Sequence, residues 1–379
     1  MTDTRPILLT GVSGFIAKRI AYDLLQKGYH VRGSLRSMDR ADEVRAAVQD
    51  PGDGRLTFVE LDLTRDAGWD AAVTGCQAIL HTASPFPLAS PKNEEDLIRP
   101  AVDGTRRALK AARMAGVNRV VLTSSMVAIL YAERPAGYAA TAADWTDVTH
   151  KSASAYIKSK TLAEQAAWDF VKRNPEMQLT TVNPGLVCGT PMDNRFGTSL
   201  ELIQRVMSGK DPMLPDIPIP VVDIEDVSAL HIMALERPDT IGQRIMATDD
   251  VLRMPAIGAL LAATYPKRKI ATKPAPRFLL KALAMFDTSL KTAMPQVGLP
   301  MQIDTRATTE GLGYRFVPSD TAIQRLAPIS STPNFSSTPI SSNASEVFSP
   351  VWPPIVGSSA SGRSFSIILA TTSGVIGSM

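Results

Sequence analysis

The sequence predicts an α/β protein with a doubly wound parallel sheet and a smaller, irregular C-terminal lobe. Two observations predict this fold class. Up to about residue 184, short apolar or β-branched runs alternate with stretches of helical periodicity, as they do in a parallel sheet with helices on both faces. After that point, prolines break the chain into short pieces, which is typical of excursions from a main sheet.

The individual elements follow this alternation in chain order. Five apolar runs bounded by turn signals are the first predicted strands, at 5–10, 29–35, 55–61, 77–82 and 119–125. Helical periodicity is most evident between them, at 14–27, 40–49 and 95–115. A further helix is predicted over 154–173 and a further strand over 178–184, so the alternation continues for two more elements.

Composition argues against several classes of function. With 44% hydrophobic residues, 20% charged residues and a net charge of +3, the chain has an ordinary globular composition, and no nucleic-acid partner is expected. Cys76 and Cys188 lie far apart and the four histidines are scattered, so neither a disulfide framework nor a metal site is predicted. No segment approaches the ~20 apolar residues of a membrane span and the N-terminus shows no cleavable signal, so we expect a cytoplasmic protein with no membrane partner.

The stretch TGVSGFIAKR, residues 10–19, places small residues where the first predicted strand turns into a helix. Gly11 would permit the sharp turn, Gly14 would let the backbone approach a phosphate, and Ala17 would let the helix lie close to the strand. This arrangement favours a pyrophosphate site at the helix N-terminus, although a purely structural turn is the alternative. The predicted contacts come from the loop and the first helical turn: Gly11, Ser13, Gly14, Phe15 and Ile16.

The end of the second predicted strand indicates which dinucleotide binds. An NAD site usually has Asp or Glu about 20 residues after the glycine turn, whereas VRGSLRSMDR has Arg36 and Arg40 there. Charge-assisted hydrogen bonds from guanidinium groups to a 2′-phosphate are worth about 1.5–3 kcal/mol each, so NADPH is predicted in preference to NADH. The alternative is that both arginines are solvated surface charges. Asp62, after the third strand, is either an adenine contact or a helix cap.

A candidate reactive group lies further along the chain. Tyr156 and Lys160 are four residues apart on a predicted helix and therefore share one face. An ammonium beside a phenol favours the phenolate and lowers the pKa of the phenol, which suits reversible proton transfer to a carbonyl oxygen. Ser124 and Ser125 end the fifth predicted strand at the carboxyl edge of the sheet, where ligands bind in open α/β folds. Taken alone, the Tyr–Lys spacing favours an amphipathic surface pair, and the two serines are what favour a reactive site.

These motifs together resemble one protein family. The glycine turn, Ser125, AYIKSKTLAEQAAWDF and VNPGLVCG resemble the extended short-chain dehydrogenases/reductases, in the branch of dihydroflavonol 4-reductases, cinnamoyl-CoA reductases and microbial aldehyde or ketone reductases. The resemblance covers about residues 5 to 326 and includes VRGSLRS, HTASPF and DWTDV. It implies that Tyr156 is the proton donor, that Lys160 lowers the pKa of Tyr156 and binds the ribose, and that Ser125, rather than Ser124, orients the carbonyl.

The same resemblance implies the remaining contacts to the cofactor. Arg36 would hold the 2′-phosphate, and other residues would contact the adenine, the middle of the dinucleotide and the nicotinamide amide. In chain order these are Asp62, Leu63, Ala83, Ser84, Pro85, Pro184, Gly185 and Val187. Three residues that follow the family motifs are candidates for the substrate pocket, with core packing as the alternative: Phe86, Met192 and Phe196.

The predicted organisation has three parts. Residues 1–184 would form mainly an NADP-binding Rossmann domain, and residues 185–326 mainly a substrate-binding lobe with some strands and helices returning to the Rossmann domain. From Ala327 onward serine, threonine and proline dominate, and Glu346 and Arg363 are the only charged side chains. Residues 327–379 are therefore predicted to be a disordered, low-complexity tail.

The leading functional prediction is an NADPH-dependent carbonyl reductase that acts on a small aldehyde or ketone, as a monomer or homodimer. The plant cinnamoyl-CoA reductase signature NWYCY is absent around Tyr156, which disfavours a CoA thioester substrate. Two alternatives stay open, a nucleotide-sugar epimerase or dehydratase and a non-catalytic NADP(H)-sensing regulator. The two arginines argue against the first, and the complete set of Ser125, Tyr156 and Lys160 argues against the second.

Overall fold

A parallel sheet lies at the centre of the structure, a computed structural model that describes residues 4–84, 93–193, 198–285 and 288–326. The strands in this part of the chain are β1 (Ile7–Thr10), β2 (Val31–Leu35), β3 (Leu56–Glu60), β4 (Ala78–His81), β5 (Arg119–Thr123), β6 (Ala139–Ala140), β7 (Gln178–Pro184), β8 (Leu186–Cys188), β9 (Pro218–Asp223), β10 (Arg244–Ala247), β11 (Asp250–Arg253) and β12 (Gln302–Ile303). Seven of them pair in parallel in the order β3-β2-β1-β4-β5-β7-β10. The order reverses direction between β1 and β4, and ligands bind beyond the carboxyl ends of the strands at such a point.

Helices cover both faces of this sheet. Those in the described residues are α1 (Phe15–Gln26), α2 (Ala41–Ala47), α3 (Trp69–Val73), α4 (Glu95–Met114), α5 (Val127–Leu130), α6 (Ala155–Arg173), α7 (Thr198–Met207), α8 (Ile224–Glu236), α9 (Met254–Thr264), α10 (Arg277–Leu283), α11 (Thr288–Ala293), α12 (Arg306–Thr309) and α13 (Ser319–Gln324). Helices α4 and α6 pack together, as do α1 and α8.

The alternation of side chains along β1 shows how the two faces are separated. Ile7 and Leu9 join the apolar core that includes α1 and α8, whereas Leu8 joins the core that includes α4 and α6. Successive side chains of a strand point to opposite faces, so a strand covered on both faces is apolar at every position. The doubly wound fold predicted from the sequence is therefore confirmed.

The elements after β7 belong partly to the large sheet and partly to smaller sheets outside it. Helix α8 and strand β10 return to the large sheet, whereas β8, β9 and β11 form a three-stranded sheet and β12 pairs with β6. Ile217, Leu280 and Leu290 belong to a separate apolar cluster. The division between residues 184 and 185 stays a prediction, and the predicted tail at 327–379 lies outside the described residues.

Some of the prolines that were expected to break up this part of the chain begin helices instead. Pro255 lies in the first turn of α9, and Pro276 immediately precedes the first residue of α10. A proline lacks the backbone N–H, but the first helical turn has no intrahelical acceptor for that group, and the fixed φ of proline suits the start of a helix. The prolines therefore mark helix boundaries as well as loops.

A close contact between β2 and the loop after β1 requires a glycine. A Cβ on Gly33 would lie 2.6 Å from Cγ1 and 2.9 Å from Cβ of Val12, which is fully buried. By contrast, a Cβ on Gly104 in α4 would lie 3.5 Å from Cβ of Leu63, an ordinary contact distance. The two glycines therefore differ in whether the surrounding structure accommodates a methyl group.

We expect Gly33→Ala to lower the free energy of unfolding by about 1–3 kcal/mol, because the methyl group overpacks the contact with Val12. Gly104→Ala is the matched control and should raise the free energy of unfolding by about 0.5–1 kcal/mol, because alanine is favoured over glycine within a helix. Urea denaturation measures both changes. Combining Gly33→Ala with Val12→Ala should recover part of the loss, and a Gly33→Ala variant as stable as the unaltered protein would contradict the close contact.

Candidate active site

The glycine turn between β1 and α1 is built so that only a glycine fits at its centre. Gly11 has a φ of +66°, in the left-handed region, and a Cβ there would lie 2.9 Å from Cβ of Ala83. The N–H of Gly11 donates a hydrogen bond to Oγ of Ser34 in β2 (3.0 Å). The turn is therefore held against β2 and against Ala83 after β4, with no room for a side chain at Gly11.

The N-terminus of α1 suits a phosphate group. Gly14 is the N-cap, no side chain caps the helix there, and the first turn has no acidic residue. The N–H groups of a first turn have no intrahelical acceptors, and together with the helix dipole they favour an anion. Phe15 is 9% exposed and Ile16 packs against the core, so both would contribute backbone rather than side-chain groups to such a site. The residues here fit the pyrophosphate of a dinucleotide.

The two arginines after β2 occupy different places around this turn. Arg40 donates a hydrogen bond to Oγ of Ser13 (3.0 Å) and pairs with Glu43 (2.8 Å). Arg36 is exposed, and it is one of the cations that lower the pKa of Asp62. The structure therefore brings Arg40 to the glycine turn and Arg36 to the corner formed by the ends of β2 and β3.

Asp62 closes a turn in this structure. Its carboxylate accepts hydrogen bonds from the N–H (2.9 Å) and the hydroxyl (2.8 Å) of Thr64. The bond from the Thr64 N–H is the main cause of the lowered pKa of Asp62, and Arg65 and Arg36 add to it. Leu63 is buried in the core. The contacts of Asp62 therefore close a turn within its own loop rather than cap a helix, since α3 begins at Trp69 after Gly68. The adenine contacts of Asp62 and Leu63 stay a prediction.

The middle of the predicted cofactor site follows β4. The N–H of Ala83 donates to Oγ1 of Thr10 (3.1 Å), and Ser84 lines a small cavity together with Lys160. Met192 is half-buried. Three predicted residues, Pro85, Phe86 and Phe196, lie outside the described residues.

The end of β7 is fixed closely against its neighbours. The carbonyl of Pro184 accepts a hydrogen bond from the N–H of Met126 (2.9 Å), and the N–H of Gly185 donates to the carbonyl of Ala247 (3.0 Å). A Cβ on Gly185 would lie 2.5 Å from the carbonyl oxygen of Pro220. The side chain of Val187 is 2% exposed and lies in the core, so only its backbone is placed to meet a cofactor.

Ser125 and Tyr156 meet at the carboxyl edge of the sheet. Ser125 follows β5 and is 8% exposed, and its hydroxyl forms a hydrogen bond with Tyr156 in the first turn of α6. Ser154 is the N-cap of this helix and its Oγ accepts a hydrogen bond from the N–H of Ile157 (3.3 Å). Lys160 lies one turn further along α6. The structure therefore brings the three predicted catalytic residues to one place, with Ser125 rather than Ser124 against the phenol.

The electrostatics of this site require one correction. The sequence predicted a lowered pKa for Tyr156, whereas burial raises that pKa and the hydrogen bond from Ser125 only partly opposes the increase. Burial also lowers the pKa of Lys160 to about 8, against the opposing effect of Glu164. The reason for the difference is that spacing along a helix shows which groups share a face, but burial depends on the elements packed around them.

Several residues near the site have no counterpart in the sequence prediction. Glu164 is fully buried, one turn beyond Lys160, and its position four residues later on the same face was the signal that would have found it. Tyr131, at the end of α5, contacts Gln296 of the C-terminal part (3.4 Å), and burial together with Tyr156 raises its pKa to about 12. Lys18, to which the sequence assigned no role, is 1% exposed and pairs with Asp193.

The histidines that the sequence interpreted as structural include two that the structure buries. His81 is hydrogen-bonded to Oγ1 of Thr10 (2.9 Å), and burial lowers its pKa to about 4. His231 is hydrogen-bonded to Thr123 (2.7 Å) and to the carbonyl of Val227 (2.7 Å). Both imidazoles are therefore neutral at physiological pH. Within the described ranges, no group of three or more metal-ligating side chains is placed to hold an ion.

Comparison with known proteins identifies the family. The sequence model of the NAD dependent epimerase/dehydratase family matches residues 7–247. The chain belongs to this family. The match spans β1 to β10 and therefore includes the glycine turn, Ser125 and the Tyr156–Lys160 pair. Among the described residues, no helix is long and apolar enough to cross a membrane.

Relatives within the family narrow the class of enzyme. An anthocyanidin reductase of Vitis vinifera is 30% identical over 279 residues, which cover 70% of this chain and 82% of the relative. Cinnamoyl-CoA reductase CAD2 of Medicago truncatula is 30% identical over 315 residues, which cover 81% and 95%. The crystal structure of the yeast methylglyoxal/isovaleraldehyde reductase Gre2 with NADPH superimposes with a TM-score of 0.71 at 26% identity, covering 85% of this chain and 98% of Gre2. The predicted branch of extended short-chain dehydrogenases/reductases is confirmed, and the chain is an oxidoreductase.

We expect Arg36→Ser to weaken NADPH binding by about ten- to hundredfold and to change NADH binding little, because only NADPH has a 2′-phosphate for the guanidinium to bind. Fluorescence titration with each dinucleotide measures both affinities. Arg65→Ser is the matched control, since Arg65 also lies beside Asp62 but its side chain is 79% exposed. Equal losses for NADPH and NADH in Arg36→Ser would contradict the assignment.

Proposed function

We propose that the chain uses NADPH to reduce an aldehyde or ketone to an alcohol, with Tyr156 as the proton donor. The chain is an NADPH-dependent oxidoreductase of its family. The observation that carries the proposal is the hydrogen bond between Ser125 and Tyr156 at the carboxyl edge of the sheet. Two hydroxyl groups that meet at this edge can both donate to one substrate oxygen and stabilise the negative charge that develops on it.

The residues around this edge would hold the cofactor beside those hydroxyl groups. The glycine turn and the first turn of α1 would bind the pyrophosphate, Arg36 and Arg40 the 2′-phosphate, and Lys160 the ribose. Pro184 and Gly185 would contact the nicotinamide amide. When bound, NADPH supplies the hydride.

The protonation states in the structure suit reduction at neutral pH. Burial raises the pKa of Tyr156, so the phenol keeps the proton that it must donate. Lys160, with a pKa of about 8, carries its positive charge at pH 7 and stabilises the phenolate as the proton leaves. Without substrate, the hydrogen bond from Ser125 partly opposes the increase in the pKa of Tyr156, and with substrate bound the one proton of this hydroxyl would go to the substrate oxygen instead. Each of the three groups therefore has one role in moving the proton from Oη of Tyr156 to the substrate oxygen.

The substrate that we propose is a small aldehyde or ketone. The structural relative Gre2 is named for methylglyoxal and isovaleraldehyde. In this chain, Tyr131 contacts Gln296 from the C-terminal part (3.4 Å), and Tyr156 contributes to the raised pKa of Tyr131, so we expect side chains from both parts of the chain near the phenol. The sequence SASAYIKSK in place of NWYCY supports an aldehyde or ketone rather than a CoA thioester.

We expect Tyr156→Phe to lower kcat by about 10²–10⁴-fold with little change in NADPH affinity, because the ring is retained and only the proton donor is lost. The measurement is NADPH oxidation at 340 nm with a panel of aldehydes, ketones and diketones, together with a fluorescence titration of the cofactor. Tyr29→Phe is the matched control, since Tyr29 lies away from the site and its hydroxyl bonds to Glu236 (3.0 Å).

Three results would reject the proposal. A Tyr156→Phe variant as active as the unaltered protein would exclude Tyr156 as the proton donor. NADPH binding without consumption across the whole panel would favour the NADP(H)-sensing regulator. Conversion of a nucleotide sugar with no net change in NADPH would favour the epimerase or dehydratase.

A further inference from the structure

A buried carboxylate lies directly beneath the proposed catalytic residues. The side chain of Glu164 is 0% exposed, and it follows Lys160 by one turn of α6. Lys160 and Glu164 line the same small cavity of about 20 Å³, between the ends of β4 and β5 and the helices α4 and α6. The two side chains therefore border the same cavity.

The carboxylate of Glu164 accepts hydrogen bonds from several elements of the sheet. One oxygen accepts from Ser124 after β5 (2.5 Å) and from Nδ2 of Asn183 in β7 (2.7 Å). The other accepts from Oγ1 of Thr181 in β7 (3.0 Å) and from Nε of Arg244 in β10 (2.7 Å). A carboxylate with this many donors from neighbouring elements is held in one orientation.

Arg244 neutralises only part of the negative charge of Glu164, because it shares its hydrogen bonds with other partners. Its side chain is 9% exposed, it lies over the ring of Trp145 with 3.8 Å to the ring centroid, and it donates hydrogen bonds to the carbonyls of Ala142 and Asp144. A buried ion pair of this kind often contributes little net stability, because removing both charges from water is costly. We therefore attribute this ion pair to its electrostatic effect on the proposed catalytic residues rather than to a contribution to stability.

We propose that Glu164 is a positioning residue that keeps Lys160 protonated beneath Tyr156 and fixes the end of β5 from which Ser125 projects. The inference rests on the proposed function, because a protonated Lys160 matters only where the phenol gives up a proton. Two features of the geometry carry it. Glu164 and Lys160 face one cavity from one side of α6, and the hydrogen bond to Ser124 places the carboxylate one residue from Ser125.

The groups that face Lys160 explain why the charge of Glu164 is needed. Burial lowers the pKa of Lys160 to about 8, and Glu164 is the group that opposes this change. His81 in β4 is neutral, because burial and the charge of Lys160 hold its pKa near 4. On α6 the other titratable neighbour is Tyr156, which is protonated, and Arg244 lies beyond Glu164. The cavity-lining residues of α4 do not titrate: Ala101, Gly104 and Thr105.

The charge state of Lys160 can be measured without cofactor or substrate. Competitive acetylation of the full-length, cofactor-free protein with acetic anhydride over pH 6–11, read by mass spectrometry, gives the midpoint at which Lys160 loses its proton. We expect a midpoint near 8 in the unaltered protein. In Glu164→Gln the midpoint should move to lower pH, and in Arg244→Gln it should move to higher pH, because the charge of Glu164 is then less balanced.

Thr181→Val is the matched control. It removes a hydrogen bond to the same carboxylate without changing any charge, so the Lys160 midpoint should stay where it is. For kcat/KM, the ratio of the value at pH 7 to that at pH 9 should rise about three- to tenfold in Glu164→Gln, because the alkaline limb moves with Lys160. In Thr181→Val the ratio should stay constant.

The outcomes separate this inference from the proposed function. Equal midpoints in Glu164→Gln and Thr181→Val would overturn the inference. If one of the two charge variants does not fold, the other decides, and failure of both to fold would show a purely structural pair and overturn it as well. Because the acetylation uses no NADPH, the expected shifts in a protein that reduces no carbonyl compound would reject the proposed function alone.

Discussion

The buried carboxylate of Glu164 links helix α6 to β7, to β10 and to the residue that follows β5. Its hydrogen bonds reach the residue after β5, two residues of β7 and Arg244 of β10, while its backbone belongs to α6. Because it is fully buried, each of these donors must keep its position or leave a charged acceptor unsatisfied, which is costly in a protein interior. This constraint fixes the helix that carries Tyr156 against the strand that ends before Ser125.

Burial assigns different protonation states to groups that lie close together. His81 is held neutral, Tyr156 keeps its proton, and Lys160 has a pKa of about 8 that leaves it charged at neutral pH. All three shifts have desolvation as their largest cause, and desolvation disfavours whichever form is charged. A neutral histidine next to Lys160 adds no competing positive charge to the site. The charge of Lys160 at this site is therefore opposed by the buried carboxylate of Glu164, which also pairs with Arg244.

The proposed cofactor end of the site is organised by hydrogen bonds between neighbouring strands and loops and by the pair of Asp193 with the buried Lys18 of α1. Ser34 of β2 holds the glycine turn, and Arg40 reaches back to Ser13 of the same turn. Arg36 stays exposed at the corner where β2 and β3 end. On the other side of the sheet, the contact between Tyr131 and Gln296 joins the segment after β5 to the C-terminal part. The cofactor and substrate ends thus depend on different interactions.

The sequence by itself determined the features that depend on local spacing. The alternation of apolar runs and helical stretches gave the parallel sheet, the spacing of Gly11 and Gly14 gave the turn before α1, and the four-residue interval placed Tyr156 and Lys160 on one face. Only the tertiary structure decided the direction of the Tyr156 pKa shift and the pairing of Glu164 with Arg244, 80 residues further along the chain. Periodicity reports which side of an element is apolar, whereas desolvation and ion pairing depend on which distant elements pack against that side.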